Sequence, residues 1–148
     1  MVSRSPEGID QLAARLISNG SRFARTASRK AGEQRSLIAL RVLANLQQEG
    51  DLRVGELALR ETITQPAMTA TVNRLEDDGL VARLADPTDA RAAIVRITDA
   101  GVVELEAFRM RAAAKVRPAL EQLGEDDLAV LGRAAVLLQQ LADRLNDK

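Results

Sequence analysis

Neither cysteine nor histidine occurs anywhere in the 148 residues. Their absence excludes thiol redox sensing, Cys/His metal sites and every catalytic dyad built on thiolate or imidazole. Disulfides are excluded as well, which is compatible with the cytosol. Tryptophan and tyrosine are also missing, and Phe23 and Phe108 are the two aromatic residues. The core must therefore be built from Leu, Val, Ile and Ala, a composition that favours helices over a sandwich or barrel. The segment MVSRSPEGIDQL lacks the apolar centre of a signal peptide, and no apolar run approaches membrane-spanning length. The expectation is a soluble cytoplasmic protein with no cofactor, no metal and no membrane partner.

A surplus of either charge is missing too: the formal net charge is zero. Its distribution is uneven. Residues 1–50 hold eight basic and four acidic groups, residues 51–98 six and eight, and residues 99–148 seven and nine. No broad cationic field is available, so affinity for a polyanion has to come from individually placed arginines and from two copies acting together. What the chain does have is bulk apolar content, 46% hydrophobic against 28% charged residues. At this length that suffices for one domain with a real core.

The most informative stretch is Thr64–Gly79, TQPAMTATVNRLEDDG. Thr64 suits a helix N-cap, Pro66 falls in the first turn where its missing donor is harmless, and Gly79 suits a left-handed stop. Met68, Val72 and Leu75 recur at helical spacing and predict the buried stripe. The opposite face carries Gln65, Ala67, Thr69, Ala70, Asn73 and Arg74, small or hydrogen-bonding groups without bulk. Such a face fits the major groove of B-DNA, where Gln, Asn and Arg match base edges and Thr serves base or phosphate. The competing interpretation is an ordinary solvated helix side, and the neighbouring elements decide against it.

Upstream, residues 9–29 align Ile9, Leu12, Ala13, Leu16, Ile17, Phe23, Ala24 and Ala27 on one stripe, with Gly20 as a weak point. Lys30–Arg35 reads as a polar link. A second helix over Ser36–Gln48 carries Leu37, Leu40, Leu43 and Leu46 and closes at Gly50. Leu52–Arg53 is expected as a very short strand, and Val54–Arg60 as a short helix with Leu57 and Ala58 inward. Thr62–Ile63 then turns into the Thr64 helix, which completes a helix-turn-helix pattern. Leu80–Ala85 and Ile94–Thr98 suit two antiparallel strands around a polar loop, Asp86–Ala93, that holds Asp89 and Arg91. An arginine on such an arm suits the narrow minor groove. Thr98 is expected to cap a helix running to about Leu123, kinked near Pro118. Glu125–Asn146 forms the last helix, with a wide stripe of Leu128, Leu131, Ala135, Leu138, Leu141, Ala142 and Leu145, extended by Val130 and Leu137.

The fold class expected is thus mainly α with a small β-wing, a winged helix-turn-helix at 36–98. Residues 1–35 and 99–148 flank it with more apolar surface than one small domain can cover, which predicts dimerisation helices and a homodimer, the competing arrangement being an intramolecular bundle. This order resembles the multiple antibiotic resistance regulator (MarR) family of bacterial winged-helix transcription factors over essentially the whole chain. The wing is the most specific part. Arg83-Leu-Ala-Asp86-Pro87-Thr-Asp89-Ala-Arg91 and Ile97-Thr98-Asp-Ala-Gly101 are similar to that family's R-x-x-D-P-x-D-x-R…L-T-x-x-G signature. Asn73-Arg74-Leu75-Glu76-Asp-Asp-Gly79-Leu80-Val81 resembles its recognition-helix ending.

The resemblance implies a dimer on a palindromic operator, with recognition helices in major grooves and wings in flanking minor grooves. It further implies repression, with release by a small anionic or phenolic effector. Carried over, Thr64 begins the reading helix, and Gln65, Pro66, Ala67, Thr69, Ala70 and Asn73 face bases. Arg74 meets phosphate or base, and Arg91 enters the minor groove steadied by Asp89. Arg15, Arg22 and Arg25 are candidate partners for an effector carboxylate, although solvated surface is the simpler account of each. Four positions depart from the pattern. Ala70 and Ala90 stand where arginine is frequent, each removing a contact and lowering the expected affinity. Arg53 replaces a usual Ser or Thr cap, and Thr62 a frequent Gly, which bears on local stability.

A different class of function is a winged-helix dimer that binds protein, motivated by the acidic balance of residues 51–98 and the two lost arginines. Steep weakening with salt separates DNA binding from it. An enzymatic role finds no support, since no paired carboxylates or Ser–Lys pair occur at a useful spacing, and Asp77–Asp78 is a solvated helix end.

Overall fold

The computed structural model describes residues 5–30 and 35–146, with the side chains of all of these except Ala90, Arg91 and Asn146. The elements are α1 (Pro6–Lys30), α2 (Leu37–Glu49), β1 (Leu52–Arg53), α3 (Val54–Glu61), α4 (Gln65–Asp77), β2 (Val81–Asp86), β3 (Asp89–Ile97), α5 (Asp99–Leu120) and α6 (Glu125–Asn146). They fall into two compact units that divide between Ala112 and Ala113. The Lys30–Arg35 link expected from the sequence lies largely outside the described residues.

The first unit has an aliphatic core. Val42, Leu43, Leu57, Met68, Val72, Leu75 and Val95 are fully enclosed, drawn from α2, α3, α4 and β3. Leu105 of α5 joins the same cluster, as do Leu52, Leu80 and Val81. The α2 stripe differs from expectation at one end: Leu37 is exposed, whereas Val42 and Ala39 are buried beside Leu40, Leu43 and Leu46. The Ser36 side chain explains the shift. It caps the helix by accepting from the Ala39 N–H at 3.1 Å, which leaves Leu37 in the first turn on the outer side.

The sheet has the order β1-β3-β2 and is antiparallel throughout. β1 is two residues long because its Leu52 and Arg53 pair with Val95 and Ile94 and α3 begins at once. The expected loop Asp86–Ala93 is corrected. The strands run to a turn at Pro87–Thr88, so most of that stretch is strand. Its extra length appears instead as a bulge, because Ala85 pairs with Ala93 while Asp86 pairs with Asp89. Residues 90–92 are therefore surplus on β3, a device that bends and re-aims a strand.

α5 ends at Leu120 rather than near Leu123, two residues beyond Pro118. Its start is fixed by Thr98, whose Oγ1 accepts from the Gly101 N–H at 3.1 Å and donates to the Gly79 carbonyl at 2.7 Å. Gly101 is required there, since a Cβ would lie 2.1 Å from the Leu80 carbonyl oxygen. α1 buries no residue, and Ile9, Leu16, Ile17 and Phe23 are exposed along it. In the second unit, Leu128, Leu131, Leu138, Leu141 and Leu145 of α6 are exposed in the same way. Among the described residues no helix is long and apolar enough to cross a membrane.

Candidate nucleic-acid interface

α4 forms where its local signals place it. Thr64 is extended, its Oγ1 accepts from the Ala67 N–H at 3.4 Å, and Pro66 occupies the first turn. Met68, Val72 and Leu75 anchor one side in the core. The entry turn depends on Thr62, a left-handed residue with φ 54° that ends α3 through N–H bonds from Thr62 and Ile63 to the Leu59 and Ala58 carbonyls. At the far end Gly79, φ 73°, releases the chain into β2.

Every residue expected to read DNA from this helix, Gln65, Pro66, Ala67, Thr69, Ala70, Asn73 and Arg74, is exposed, as is Thr64. The Thr69 hydroxyl donates to the Gln65 carbonyl at 2.9 Å, and that of Thr71 to Ala67 at 3.0 Å. Thr69 is thus left with acceptor lone pairs and a methyl group for a partner. Arg74 lines a small cleft with Arg35, Ser36 and Asp78 and has no ion pair among the described residues.

Arg83, in β2, was not marked by the sequence as more than part of a signature. Its guanidinium pairs with Glu76 and donates from Nη2 to Asn73 Oδ1 at 2.5 Å, so the wing's first strand grips α4. Arg53 is a second such residue. Instead of capping α3 with its side chain, it leaves that task to Glu56, which accepts from the Arg53 N–H at 2.6 Å. Its guanidinium reaches Asp86 from Nε at 2.6 Å and Thr88 Oγ1 at 3.3 Å, tying the start of α3 to the wing turn.

Asp86 is the carboxylate around which this turn is built. Its Oδ1 accepts from the Thr88 hydroxyl and backbone N–H, both at 2.7 Å. These two bonds, helped by Arg53, hold its pKa below the ordinary 3.8, at about 2. Asp89 lies opposite Asp86 in the register and adds to the field on Arg53. The backbone of Arg91 is central in the β3 bulge, but its side chain lies outside the described residues, so its expected pairing with Asp89 does too. Below the helix, Arg35 pairs with Asp78 at the end of α4 and with Glu104 of α5 at 3.3 Å. Among the arginines suggested for an effector, Arg22 and Arg25 line an open cleft with Arg29, Arg35 and Leu37, and Arg15 does not. Among the described residues no acidic cluster could hold a metal ion.

A capped helix with a small polar outer face, set behind a short α-helix and braced by a three-stranded wing, defines a winged helix-turn-helix protein. The MarR family model matches residues 36–93, the stretch from the α2 cap to the wing. The chain is 33% identical over 108 residues to the HTH-type transcriptional regulator ML2140 of Mycobacterium leprae, covering 73% of this chain and 76% of that protein. It is 31% identical over 102 residues to the HTH-type transcriptional repressor MdtR of Bacillus subtilis, covering 69% and 66%. In fold it is similar to the transcriptional regulator Tm0710 of Thermotoga maritima, with a TM-score of 0.71 at 24% identity over 93% of this chain and 99% of that one. The chain belongs to the MarR family, whose members are DNA-binding regulators of transcription and not enzymes.

Proposed function

We propose that the protein acts in the cytoplasm as a homodimeric repressor that binds a palindromic operator. Residues 36–98 read the DNA, and the segments 1–35 and 99–148 join two copies. Gln65, Pro66, Ala67, Thr69, Ala70 and Asn73 face base edges in the major groove, Arg74 takes a phosphate or base, and Arg91 reaches the minor groove from the wing with Asp89 beside it. The observation that carries this proposal is the outer face of α4. It is exposed, free of bulky groups, and stiffened from behind by the core and from the side by Arg83. Twofold symmetry then sets the recognition helices about 34–36 Å apart, one turn of the duplex.

Repression is the output borne by the name of the Bacillus subtilis relative. A small organic anion is the proposed effector, and the cleft of Arg22, Arg25, Arg29 and Arg35 is the region where one would be felt. Arg35 also holds Asp78 and Glu104, so a bound anion competes for it and loosens the seat of α4. The deciding experiment is a gel-shift titration with an operator selected from genomic fragments. Arg91→Ala is expected to weaken binding by about 1–3 kcal/mol. Equal affinity of variant and wild type would defeat the wing assignment, and a wild type indifferent to sequence at low salt would defeat the whole proposal.

A further inference from the structure

Asn73 and Arg83 meet where α4 adjoins β2, with Arg83 Nη2 2.5 Å from Asn73 Oδ1. A guanidinium has five N–H donors and no acceptor, so this bond has a single polarity. The amide oxygen of Asn73 must face Arg83, and its NH2 group must face away. Arg83 is not free to release it. Its backbone N–H donates to Glu76 Oε1 at 3.2 Å, and its Nη1 pairs with Glu76 Oε2, so both carboxylate oxygens are committed to this one residue. Arg83 is 28% exposed at the side chain, whereas Asn73 is exposed on the outer face of the helix.

We infer that Arg83 sets the base preference of Asn73 by holding its amide oxygen, so that the NH2 group meets the base and the usual preference for adenine is removed. The inference rests on α4 reading the major groove. An unrestrained asparagine favours adenine because it donates to N7 and accepts from N6 at once. With Oδ1 turned to Arg83, the NH2 group leads toward the base, the paired contact to N7 and N6 is not made, and adenine has no advantage. Cytosine presents only its N4 donor there and is rejected, while guanine O6 and N7 and thymine O4 are acceptors that the free N–H groups can meet. Arg83 is therefore a positioning residue that acts on specificity through Asn73.

The test is selection of bound duplexes from a random pool by the full-length protein and by Asn73→Ala, Arg83→Ala and Arg83→Lys, each checked for folding by circular dichroism. Asn73→Ala should flatten the preference at one base pair per half-site and so locate it. There, Arg83→Ala should raise adenine roughly tenfold against guanine and thymine, with other positions unchanged, and Arg83→Lys, still a pure donor, should keep the wild-type profile. A second measurement needs no variant. Replacing adenine at that pair by 2-aminopurine, which keeps N7 and lacks the N6 amine, should leave wild-type affinity unchanged. Adenine preferred by the wild type, a fall in affinity with 2-aminopurine, or an Arg83→Ala profile equal to wild type or uniformly weakened would each overturn the inference. An unchanged profile for Asn73→Ala would sink it alone, whereas the absence of any wild-type consensus would sink the proposed operator binding with it.

Discussion

Asp86 illustrates how much one carboxylate organises. Its side chain is 5% exposed and takes bonds from Thr88 twice and from Arg53. Because the folded-state pKa, about 2, lies below the ordinary 3.8, the charged form is favoured by folding. The stability it contributes is present above about pH 4 and is lost as pH falls through about 2. Asp86→Asn is expected to lower the thermal midpoint at neutral pH and to flatten its decline between pH 4 and 2. A scan of both proteins across that window checks this, and parallel declines would refute it. Thr64 is a simpler case: Thr64→Ala removes the acceptor for the Ala67 N–H and should cost about 1 kcal/mol by chemical denaturation. The cap was legible in the sequence because it is local. The partner of Arg53 was not, because Asp86 lies 33 residues away and only the β1–β3–β2 pairing brings them together, and those of Arg83 depend on how the Gly79 turn folds β2 back beside α4.

At the scale of elements, two backbone positions carry sharp expectations. Thr62 sits at φ 54°, an unfavourable region for a β-branched residue. Thr62→Gly should stabilise the protein by about 1 kcal/mol, the left-handed strain relieved exceeding the added freedom of the unfolded chain. A denaturant midpoint that moves downward would contradict this. Gly101 is the opposite case: Gly101→Ala forces a Cβ against the Leu80 carbonyl and should destabilise by about 1–3 kcal/mol in the same measurement. The order of helices was readable from apolar spacing, since Met68, Val72 and Leu75 needed nothing but a 3.6-residue period. The wing's form was not. Asp, Pro and Thr announce a turn, but alanines and arginine at 90–93 give no sign that a strand continues with a bulge.

For the whole molecule, the exposed leucines of α6 and the exposed Ile17 and Phe23 of α1 are the argument for a second copy. Leu138→Asp with Leu141→Asp should turn the proposed dimer into a monomer by sedimentation velocity, with far weaker operator binding. A dimer of unchanged mass would show that other surfaces join the copies. With zero net charge, DNA affinity has to rest on few contacts, so Arg74→Ala, counted twice in a dimer, should reduce the slope of log affinity against log salt by about 2.

The Arg53–Asp86 link has a consequence for motion. The arm is leashed to the entry of its own reading head, so hinge freedom between them is small. In the proposed dimer on DNA, a tilt of one copy against the other carries helix and arm as a single rigid jaw, so that both grooves lose their occupants together.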